Sequence, residues 1–386
     1  MGKRILCVVL IAVLVACGLG ASSKADLCTF MVVSDLHFTL HSDSIIYPFM
    51  TRIQDLTETI ADEVIECRPD AFLLCGDNTN SGRAEDVKAL STILHRIHAA
   101  GIPVVVIPGN HDFDLGDRES FVLAYGDLCD AESRDEASLS YMLHIGPFRI
   151  LAMDDSSYSK GARGAFFAET MLWLHTQLQE SQEKHEPVLF LSHHNVLPGG
   201  QEATGSSYMI QNPELLDLLD NYGVQLCLSG HRHSQDILSH SSLYEIVSAM
   251  PAIYPHLVGT ITVRDGELFY QAEPISFDKY GRSGFEDILE RERDGNFSSV
   301  ALNLKDWDCL STEEQAGISR LFRLFMLSYS SGALADVQEE ILKDPYYDEF
   351  LRVFADTNYG PWMRYLMESA LIAGNHLKVD YSEYLH

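Results

Sequence analysis

Five short segments of the chain carry side chains that bind metal ions. They read D-L-H at 35–37, G-D-N at 76–78, G-N-H-D at 109–112, S-H-H at 192–194 and G-H-R-H at 230–233. Their carboxylate, amide and imidazole groups form a mixed set that suits Mn(II), Fe, Zn or Ni and disfavours calcium, which prefers oxygen ligands alone. The segments therefore predict a site for transition metals.

Apolar runs of strand length precede these segments. Four segments closely follow such a run, and the fifth follows a less uniform one. The runs are Phe30–Val33, Ala71–Cys75, Val104–Ile107, Val188–Leu191 and Val224–Leu228. Strands of an α/β sheet present their carboxyl ends at one edge, where such sheets place their binding sites. All five segments are therefore expected to converge on one site.

The residue types and their spacing indicate phosphate ester hydrolysis. Two metal ions about 3.5–4 Å apart bind phosphoryl oxygens and activate water at neutral pH. Such a pair needs one carboxylate that bridges both ions, and Asp77, at the tip of a predicted central strand, suits that role. Asp35 and His37 are separated by one residue and can reach one metal together. His231 and His233 share this spacing.

Residues 27–275 alternate predicted strands with helices, which is the pattern of a layered α/β domain. Apolar residues at helical spacing mark Thr51–Cys67 and Ala84–Ala100 as two of the helices. Hairpin patterns at 141–153 and 258–271 add antiparallel strands. Mixed sheets, packed face to face, are therefore expected.

Residues 276–386 are predicted to form an all-helical C-terminal subdomain. No clear strand pattern occurs after residue 284, whereas apolar residues recur at helical spacing. The predicted helices are Thr312–Ser328, Leu334–Lys343, Asp348–Ala355 and Pro361–Ala373. The aromatic residues of this region are expected to form its core.

Residues 1–26 predict an export leader. A basic start precedes the apolar stretch Ile5–Leu19, which is too short for a membrane span of about 20 residues and typical of a signal peptide. The sequence L-V-A-C, ending at Cys17, resembles the lipobox of bacterial lipoproteins. It predicts lipidation of Cys17 and an extracytoplasmic protein anchored to the bacterial membrane. A plain secretory signal, cut near residue 21 or 25, is the alternative.

The net charge of −29 restricts the partners of the protein. Binding to DNA, RNA or an anionic membrane surface needs clustered Lys and Arg. No nucleic acid polymer is therefore expected, and membrane contact is expected through the lipid anchor only. A small phosphoester is compatible with this charge, because bound metal ions reverse the local field.

The cysteines give no further metal site. They lack C-x-x-C spacing, so a zinc ribbon is not expected. Four of them could pair in an oxidising compartment, and the sequence leaves the pairing open. These four are Cys28, Cys67, Cys129 and Cys309.

The ordered set of five segments resembles that of the calcineurin-like metallophosphoesterases, over residues 29–275. Each segment alone is a weak signal, whereas the set in this order is highly specific. The resemblance implies a layered α/β/β/α sandwich with mixed sheets as the catalytic domain. It also implies a phosphoric ester hydrolase that uses two metal ions, manganese or an iron–zinc pair.

The resemblance also implies a set of metal ligands. For one ion the implied ligands are Asp35, His37, Asp77 and His233. For the other ion they are Asp77, Asn110, His193 and His231. Many relatives have a proline directly after the histidines of the fourth segment, and this chain has none there. His194 therefore stays open as an alternative to His193.

The resemblance implies that His111 faces the phosphate as general acid or transition-state stabiliser, oriented by its neighbour Asp112. Asn78 and Asn110 are expected to contact the substrate together with His111. Arg232 is expected to be an outward-facing spacer. Weaker candidates for substrate contacts are His41, Tyr158 and Tyr208.

Two further carboxylates follow a predicted strand without belonging to the five segments. These are Asp154 and Asp155. A structural role, or one behind the metal ligands, is expected for both. They are not counted among the predicted ligands.

The leading functional prediction is an exported phosphodiesterase acting on a small phosphodiester such as a cyclic nucleotide. Met153–Leu178 resembles the cyclic-nucleotide phosphodiesterase branch of the family in its aspartate pair, glycine-containing loop and W-L helix. The enzyme alternatives are a phosphomonoesterase, such as a nucleotidase, and a phospholipid or cell-envelope phosphodiesterase. A non-catalytic surface binding module is the alternative of another class. The intact His111 argues against it, because structural metals would not need this residue.

Overall fold

The structure of the 386-residue chain is a computed structural model. It describes residues 28–41, 48–157, 163–199, 208–285, 288, 304, 306–369 and 371–382. The predicted leader with Cys17, and the candidate contact Tyr158, lie outside the described residues. Within this part of the chain, none of the helices combines the length and the hydrophobicity that crossing a membrane requires.

Two β-sheets form the centre of the molecule. Their strands, numbered along the chain, are β1 (Cys28–Val33), β2 (Ala71–Cys75), β3 (Val104–Ile107), β4 (Ser133–Arg134), β5 (Tyr141–Ile145), β6 (Phe148–Ala152), β7 (Val188–Leu191), β8 (Leu226–Ser229), β9 (Asp236–His240), β10 (Leu243–Val247), β11 (Leu257–Arg264), β12 (Glu267–Pro274) and β13 (His376–Asp380). The first sheet has the order β13-β12-β11-β1-β2-β3, and the second has the order β4-β5-β6-β7-β8-β10-β9.

The strands that precede the predicted ligand segments are parallel neighbours within their sheets. In the first sheet β1, β2 and β3 run parallel, and in the second sheet β7 and β8 do so. Their carboxyl ends therefore lie side by side. The predicted hairpins β5–β6 and β11–β12 are antiparallel, which makes both sheets mixed, as expected.

The helices cover the outer faces of the two sheets and form the C-terminal region. They are α1 (Ile53–Cys67), α2 (Ala84–Ala99), α3 (Arg118–Tyr125), α4 (Ala168–Lys184), α5 (Leu215–Asn221), α6 (Thr312–Ser330), α7 (Leu334–Leu342), α8 (Tyr347–Val353) and α9 (Tyr359–Glu368). Short 3-10 helices occur at Pro48–Arg52, His111–Phe113, Asp278–Tyr280 and Trp307–Cys309.

The alternation of side chains along the strands builds four layers. In β1, Phe30 packs between the two sheets, whereas Met31 packs with residues of α1 and α2. In β6, Ile150 faces the first sheet and Leu151 packs with residues of α4 and α5. Parallel strands covered on both faces are expected to be apolar on both faces. The predicted α/β/β/α order is therefore confirmed.

The C-terminal region is helical, as predicted, except for its last strand. Helices α6 to α9 enclose a core of their own that contains Phe325, Phe354 and Trp362. β13 then joins the edge of the first sheet beside β12, with Val379 opposite Leu268. The prediction of a subdomain without strands is therefore wrong. Its apolar signal is weak because only Val379 of the five residues of β13 is buried.

The structure also bears on the cysteines. None of the described cysteines forms a disulfide. Cys75 and Cys227 are buried within β2 and β8, where they pack as small apolar side chains. Of the four that the sequence left open, Cys28 and Cys129 are buried, whereas Cys67 and Cys309 are exposed.

Candidate metal centre

The carboxyl ends of β1, β2, β3, β7 and β8 bring all seven predicted ligands to one place. These residues are Asp35, His37, Asp77, Asn110, His193, His231 and His233. The first four follow strands of the first sheet, and the three histidines at 193, 231 and 233 follow strands of the second. The centre therefore lies across the seam between the sheets.

One group of ligand atoms surrounds His37. The Nε2 atom of His37 lies 3.6 Å from Asp77 Oδ2 and 3.0 Å from His233 Nε2. His233 Nε2 lies 3.5 Å from Asp35 Oδ1. One atom from each of these four residues falls within 4.8 Å of the others. This arrangement is a cage of the size that holds one metal ion.

A second group surrounds His193. The Nε2 atom of His193 lies 3.3 Å from Asp77 Oδ2, 3.3 Å from Asn110 Oδ1 and 3.2 Å from His231 Nδ1. Asp77 Oδ2 therefore faces both groups, which is the position of a carboxylate that bridges two ions.

Five of the seven residues adopt the left-handed backbone conformation. The φ angle is +54° for Asp35, +45° for His37, +47° for Asp77, +66° for His231 and +55° for His233. Residues other than glycine enter this region at a cost of about 1 kcal/mol or more each. Such strain persists only where the surrounding structure enforces it, and it clusters at functional sites.

Hydrogen bonds fix two of the imidazole rings with one nitrogen directed inward. The Nδ1–H of His193 donates to the backbone carbonyl of Cys75 at 3.0 Å, because a carbonyl oxygen only accepts. His37 Nδ1 lies 3.2 Å from Asn80 Oδ1, which likewise only accepts. The Nε2 atom of each ring then points into the centre, and it binds metal when it carries no proton, as in neutral His37 or in His193 once that ring has lost its Nε2 proton.

The centre is buried and rich in carboxylate charge. Burial lowers the pKa of His37 to about 3, so this ring is neutral at physiological pH. Burial alone would raise the pKa of Asp77, but His193 and His37 hold it well below its ordinary value. Burial opposes the charging of His193, yet Asp77 and Asp35 raise its pKa to about 10. The carboxylates thus stabilise positive charge at the centre.

The donor set fits metal ions for a second reason. The Oδ2 atom of Asp77 is buried and makes no hydrogen bond of good geometry among the described residues, although His193 Nε2 lies 3.3 Å away. An unsatisfied buried carboxylate oxygen is costly, and a cation would satisfy it. Asp77 Oδ1, by contrast, accepts the backbone N–H of His111 at 2.8 Å. The shared atom Oδ2 is therefore the one left for metal.

The structure distinguishes the two histidines of the fourth segment. His193 Nε2 is the atom that faces Asp77 and Asn110. His194 Nδ1 instead lies 3.1 Å from Asp155 Oδ1, and the backbone N–H groups of both histidines donate to Asp155 Oδ2. The contacts with Asp77 and Asn110 thus favour His193 as the ligand, while a ring nitrogen of His194 also lies within 4.8 Å of ring nitrogens of His193 and His231. Asp155 holds the pair from behind, in line with the role expected for it.

Two predicted residues have other roles than expected. Asp112 accepts hydrogen bonds from the backbone N–H groups of Asn78, Thr79 and Gly109 and from the side chains of Asn78 and Thr79. It thereby joins the ends of β2 and β3 and is not bonded to the ring of His111. Asn78 is fully buried and donates to Ile107 O and Asp112, so it is not open to a substrate. The sequences of the G-D-N and G-N-H-D segments do not reveal that Asp112 of the second segment binds Asn78 of the first.

His111 lies at the open side of the first group. Its ring centroid is 4.9 Å from that of His37, and its side chain is 36% exposed. His111 Nδ1 lies 3.1 Å from Asp114 Oδ2. The carboxylate beside the ring is therefore Asp114, three residues on along one 3-10 turn, and not the predicted Asp112.

Arg232 is not the outward-facing spacer that the sequence suggested. Its side chain is fully buried. Its Nη2 group donates to Gly199 O at 2.7 Å and to the hydroxyl of Tyr329, in α6, at 2.9 Å. The interpretation failed because the partner lies in the C-terminal region, about 100 residues away in the sequence.

The remaining candidates have different neighbours. The ring of Tyr208 is 5.3 Å from that of His231, which puts it beside the second group. His41 Nε2 is 3.8 Å from Asp86 Oδ1, on the loop that follows β1. The structure thus brings Tyr208 to the second group, whereas the contact found for His41 is with Asp86.

Glu245 is a supporting residue that the sequence analysis missed. It is buried in β10 and accepts hydrogen bonds from Val196 N at 2.9 Å, Leu197 N at 2.6 Å and Ser229 Oγ at 2.6 Å. Burial raises the pKa of this carboxyl group. Glu245 ties the loop after His194 to the end of β8. A glutamate within the largely apolar strand β10 was the feature of the sequence that could have revealed this role.

Comparison with known proteins identifies the family. The model of the calcineurin-like phosphoesterases matches residues 28–235, more than half of the chain, so the chain belongs to that family. Its members use two metal ions, and the group Asp35, His37, Asp77 and His233 together with the histidine group at 193, 194 and 231 forms a candidate dinuclear site. The chain is therefore a metal-dependent phosphoric ester hydrolase. This confirms the enzyme prediction and sets aside the non-catalytic binding module.

Individual relatives are similar over the same region. The chain is 28% identical over 208 residues to the glycerophosphodiester phosphodiesterase GpdQ of Enterobacter lignolyticus, covering 52% of this chain and 69% of that protein. It is 26% identical over 207 residues to a protein of Ruthia magnifica named as a probable cyclic nucleotide phosphodiesterase, covering 53% and 78%. A dimetal phosphatase from Danio rerio, 18% identical, superposes with a TM-score of 0.53 over 65% of this chain and 98% of its own, and supports the fold.

Proposed function

We propose that the protein is a phosphodiesterase that hydrolyses a small phosphodiester at a dinuclear metal site. The observation that carries this proposal is the position of Asp77 Oδ2, 3.6 Å from His37 Nε2 and 3.3 Å from His193 Nε2. Among the relatives, one is named a glycerophosphodiester phosphodiesterase and another a probable cyclic nucleotide phosphodiesterase. Both names support a diester substrate.

The two metal ions are assigned to the two groups of ligand atoms. One ion is proposed to bind Asp35, His37, Asp77 and His233. The other is proposed to bind Asp77, Asn110, His193 and His231. The mixture of carboxylate, amide and imidazole donors favours Mn(II), Fe or Zn, and the inward Nε2 atoms of His37 and His193 support the assignment.

His111 is proposed to donate a proton or a hydrogen bond to the phosphate. Its partial exposure at the open side of the centre supports this role, and so does its ring contact with His37. The Asp114 carboxylate, 3.1 Å from Nδ1, is proposed to attract the charged form of the imidazole, which leaves Nε2 for the substrate. Asn110, whose side chain already faces His193, is the second proposed substrate contact.

The first test is hydrolysis of bis(p-nitrophenyl) phosphate by the purified protein, metal-free and then with Mn(II). We expect turnover only with metal, and a loss of about a thousandfold or more in Asp77→Asn, because a metal clamp contributes several kcal/mol to the transition state. The exposed Asp130→Asn is the matched control. Parallel assays of cyclic AMP and glycerophosphoethanolamine identify the diester class.

The outcomes separate the remaining alternatives. Turnover of p-nitrophenyl phosphate without turnover of the diester would favour a phosphomonoesterase such as a nucleotidase. Turnover of lipid diesters alone would favour a cell-envelope substrate. Full activity of Asp77→Asn would contradict the proposed centre.

We also propose that the protein is exported and anchored to the bacterial membrane through a lipid on Cys17. The lipobox-like L-V-A-C after an apolar stretch supports this. Labelling with radioactive palmitate and membrane fractionation of the parent and of Cys17→Ser test it. We expect label and membrane association in the parent only. An unlabelled parent released from the cells would favour a plain secretory signal.

A further inference from the structure

The loop that carries His231 and His233 packs directly against the C-terminal helical region. Arg232, between these two histidines, is buried, and its guanidinium donates to Tyr329 Oη in α6 at 2.9 Å. The same Nη2 group lies 3.4 Å from Asp236 Oδ2. A guanidinium offers donors in a rigid plane, so its partners define its orientation closely.

Gln235 makes the second connection between this loop and the C-terminal region. Its backbone N–H donates to Ser330 O at 3.1 Å, and its side-chain amide donates to Gly374 O at 2.9 Å. A Cβ atom on Gly332 would lie 2.9 Å from Gln235 Cγ. The contact is therefore close-packed, with backbone of the C-terminal region directly against the loop.

Tyr329 is itself held firmly by the helical core. Its ring centroid lies 4.5 Å from that of Trp362 at near-perpendicular orientation, and 6.4 Å from that of Phe325. Aromatic packing of this kind restricts the ring to one orientation. The hydroxyl group is therefore presented to Arg232 from a fixed direction.

Arg232 also reaches the other histidine segment. The same Nη2 group donates to Gly199 O at 2.7 Å, on the loop that follows His193 and His194. A Cβ atom on Gly199 would lie 1.6 Å from Arg232 Nη1, so only glycine permits this approach. One buried guanidinium thus contacts the helical region and both loops of the second sheet that carry metal ligands.

From these contacts we propose that Tyr329 and Arg232 are positioning residues, through which the C-terminal helical region sets the affinity of the metal centre. His231 and His233 flank Arg232 in a strained backbone, and strain of this kind needs support from outside the turn. A buried guanidinium is costly when a partner is removed, so loss of the Tyr329 hydroxyl, which leaves Gly199 O and Asp236 as partners, is expected to loosen the turn. The inference rests on the metal assignment of the proposed function.

Calorimetric titration of the metal-free protein with Mn(II) tests this inference without any substrate. In Tyr329→Phe the ring packing is kept and only the hydroxyl is removed. We expect the dissociation constant for Mn(II) to rise about tenfold, as for other residues that support metal ligands from behind. Tyr365→Phe, an exposed tyrosine on α9, is the matched control and should bind like the parent.

A double-mutant cycle with Arg232→Met separates positioning from general loosening of the fold. If Tyr329 acts through Arg232, Tyr329→Phe should change the affinity less than twofold in the Arg232→Met background, because interacting residues are not additive. Equal effects of Tyr329→Phe in both backgrounds would overturn the inference. So would an unchanged affinity in Tyr329→Phe. Circular dichroism of each metal-free variant checks that it is folded.

Metal binding by the parent protein distinguishes a failure of this inference from a failure of the metal assignment on which it rests. Mn(II) binding by the parent with unchanged binding by both variants would contradict the role of the helical region only. No binding of Mn(II), Fe(II) or Zn(II) by the parent would contradict the metal assignment, and this inference with it.

Discussion

The metal centre and the C-terminal helical region are built on opposite principles. At the centre, buried charged groups are held by hydrogen bonds, as in Asp112, which accepts from three backbone and two side-chain donors. In the helical region, stacked aromatic rings provide the contacts, as in Phe350 on Phe354 at 4.2 Å between centroids and Phe322 on Phe354 at 5.3 Å.

The difference shows what each region can tolerate. A hydrogen-bonded centre depends on the position of single atoms, because a buried polar group without a partner costs more than the bond itself gains. An aromatic core loses free energy in proportion to the volume and surface removed. Substitutions of groups that face the proposed metal ions or the substrate should therefore change chemistry, whereas removal of an aromatic ring from the helical core should change the free energy of unfolding.

The largest expected effect is on turnover. His111→Gln should lower kcat for bis(p-nitrophenyl) phosphate about a thousandfold, equivalent to about 4 kcal/mol, because it removes the proposed proton donor. The affinity for Mn(II) and the melting temperature should stay near those of the parent. His98→Gln, on an exposed position of α2, is the control. Unchanged kcat in His111→Gln would show that the proposed role is wrong.

The next effect is on stability alone. Phe354→Ala should lower the free energy of unfolding by about 3 kcal/mol or more, since a fully buried ring leaves a cavity among the stacked aromatics. Urea unfolding measures this change, with the exposed Leu342→Ala as the control. At temperatures where the variant is folded, kcat should remain within about threefold of the parent. A collapse of kcat in the folded variant would break the contrast between the two regions.

Asp112→Asn sharpens the comparison, because Asp112 lies at the metal centre and yet its substitution should lower the stability of the fold. The amide that replaces one carboxylate oxygen meets N–H donors, so we expect a loss of about 2 to 3 kcal/mol in the free energy of unfolding. The exposed Asp130→Asn provides the baseline. Stability equal to that baseline would mean that the five hydrogen bonds contribute nothing, contrary to the geometry.

The smallest effect is expected at Asp114. Asp114→Ala should lower kcat about tenfold, because His111 loses its neighbouring carboxylate, and this loss is smaller than the roughly hundredfold or more expected when the proton-transfer group itself is removed. Asp114→Asn retains an oxygen acceptor and should recover part of that loss, while KM stays unchanged in both. If Asp114→Ala kept the parent kcat, the imidazole would be oriented without it.

Most of the layered fold was predictable because apolar runs mark buried strands strongly. The strands at Ala71–Cys75, Val104–Ile107 and Val188–Leu191 have the bounds that the sequence predicted. Buried parallel strands need apolar residues on both faces, and this leaves a continuous signal. β13 lacks that signal because its residues other than Val379 are wholly or partly exposed. Its pairing depends on β12, which the local sequence does not reveal.

The candidate site was predictable in composition but not in detail. Strand ends placed the seven proposed ligands near one another, because the topology of parallel strands fixes where those ends lie. Which carboxylate faces His111 depends on a 3-10 turn, and its geometry selects Asp114 over Asp112. The burial of Arg232 depends on Tyr329 in another region. Neither contact leaves a periodic pattern in the sequence.

The spread of the metal ligands along the chain has a consequence for biosynthesis. Asp35 and His233 are about 200 residues apart, with strands of both sheets between them. At about 5–20 residues per second of translation, about 10 to 40 s separate the synthesis of the first ligand from that of the last. During this interval the nascent chain offers only part of the set to any metal ion nearby. The metal content of the protein should therefore reflect the compartment in which folding is completed.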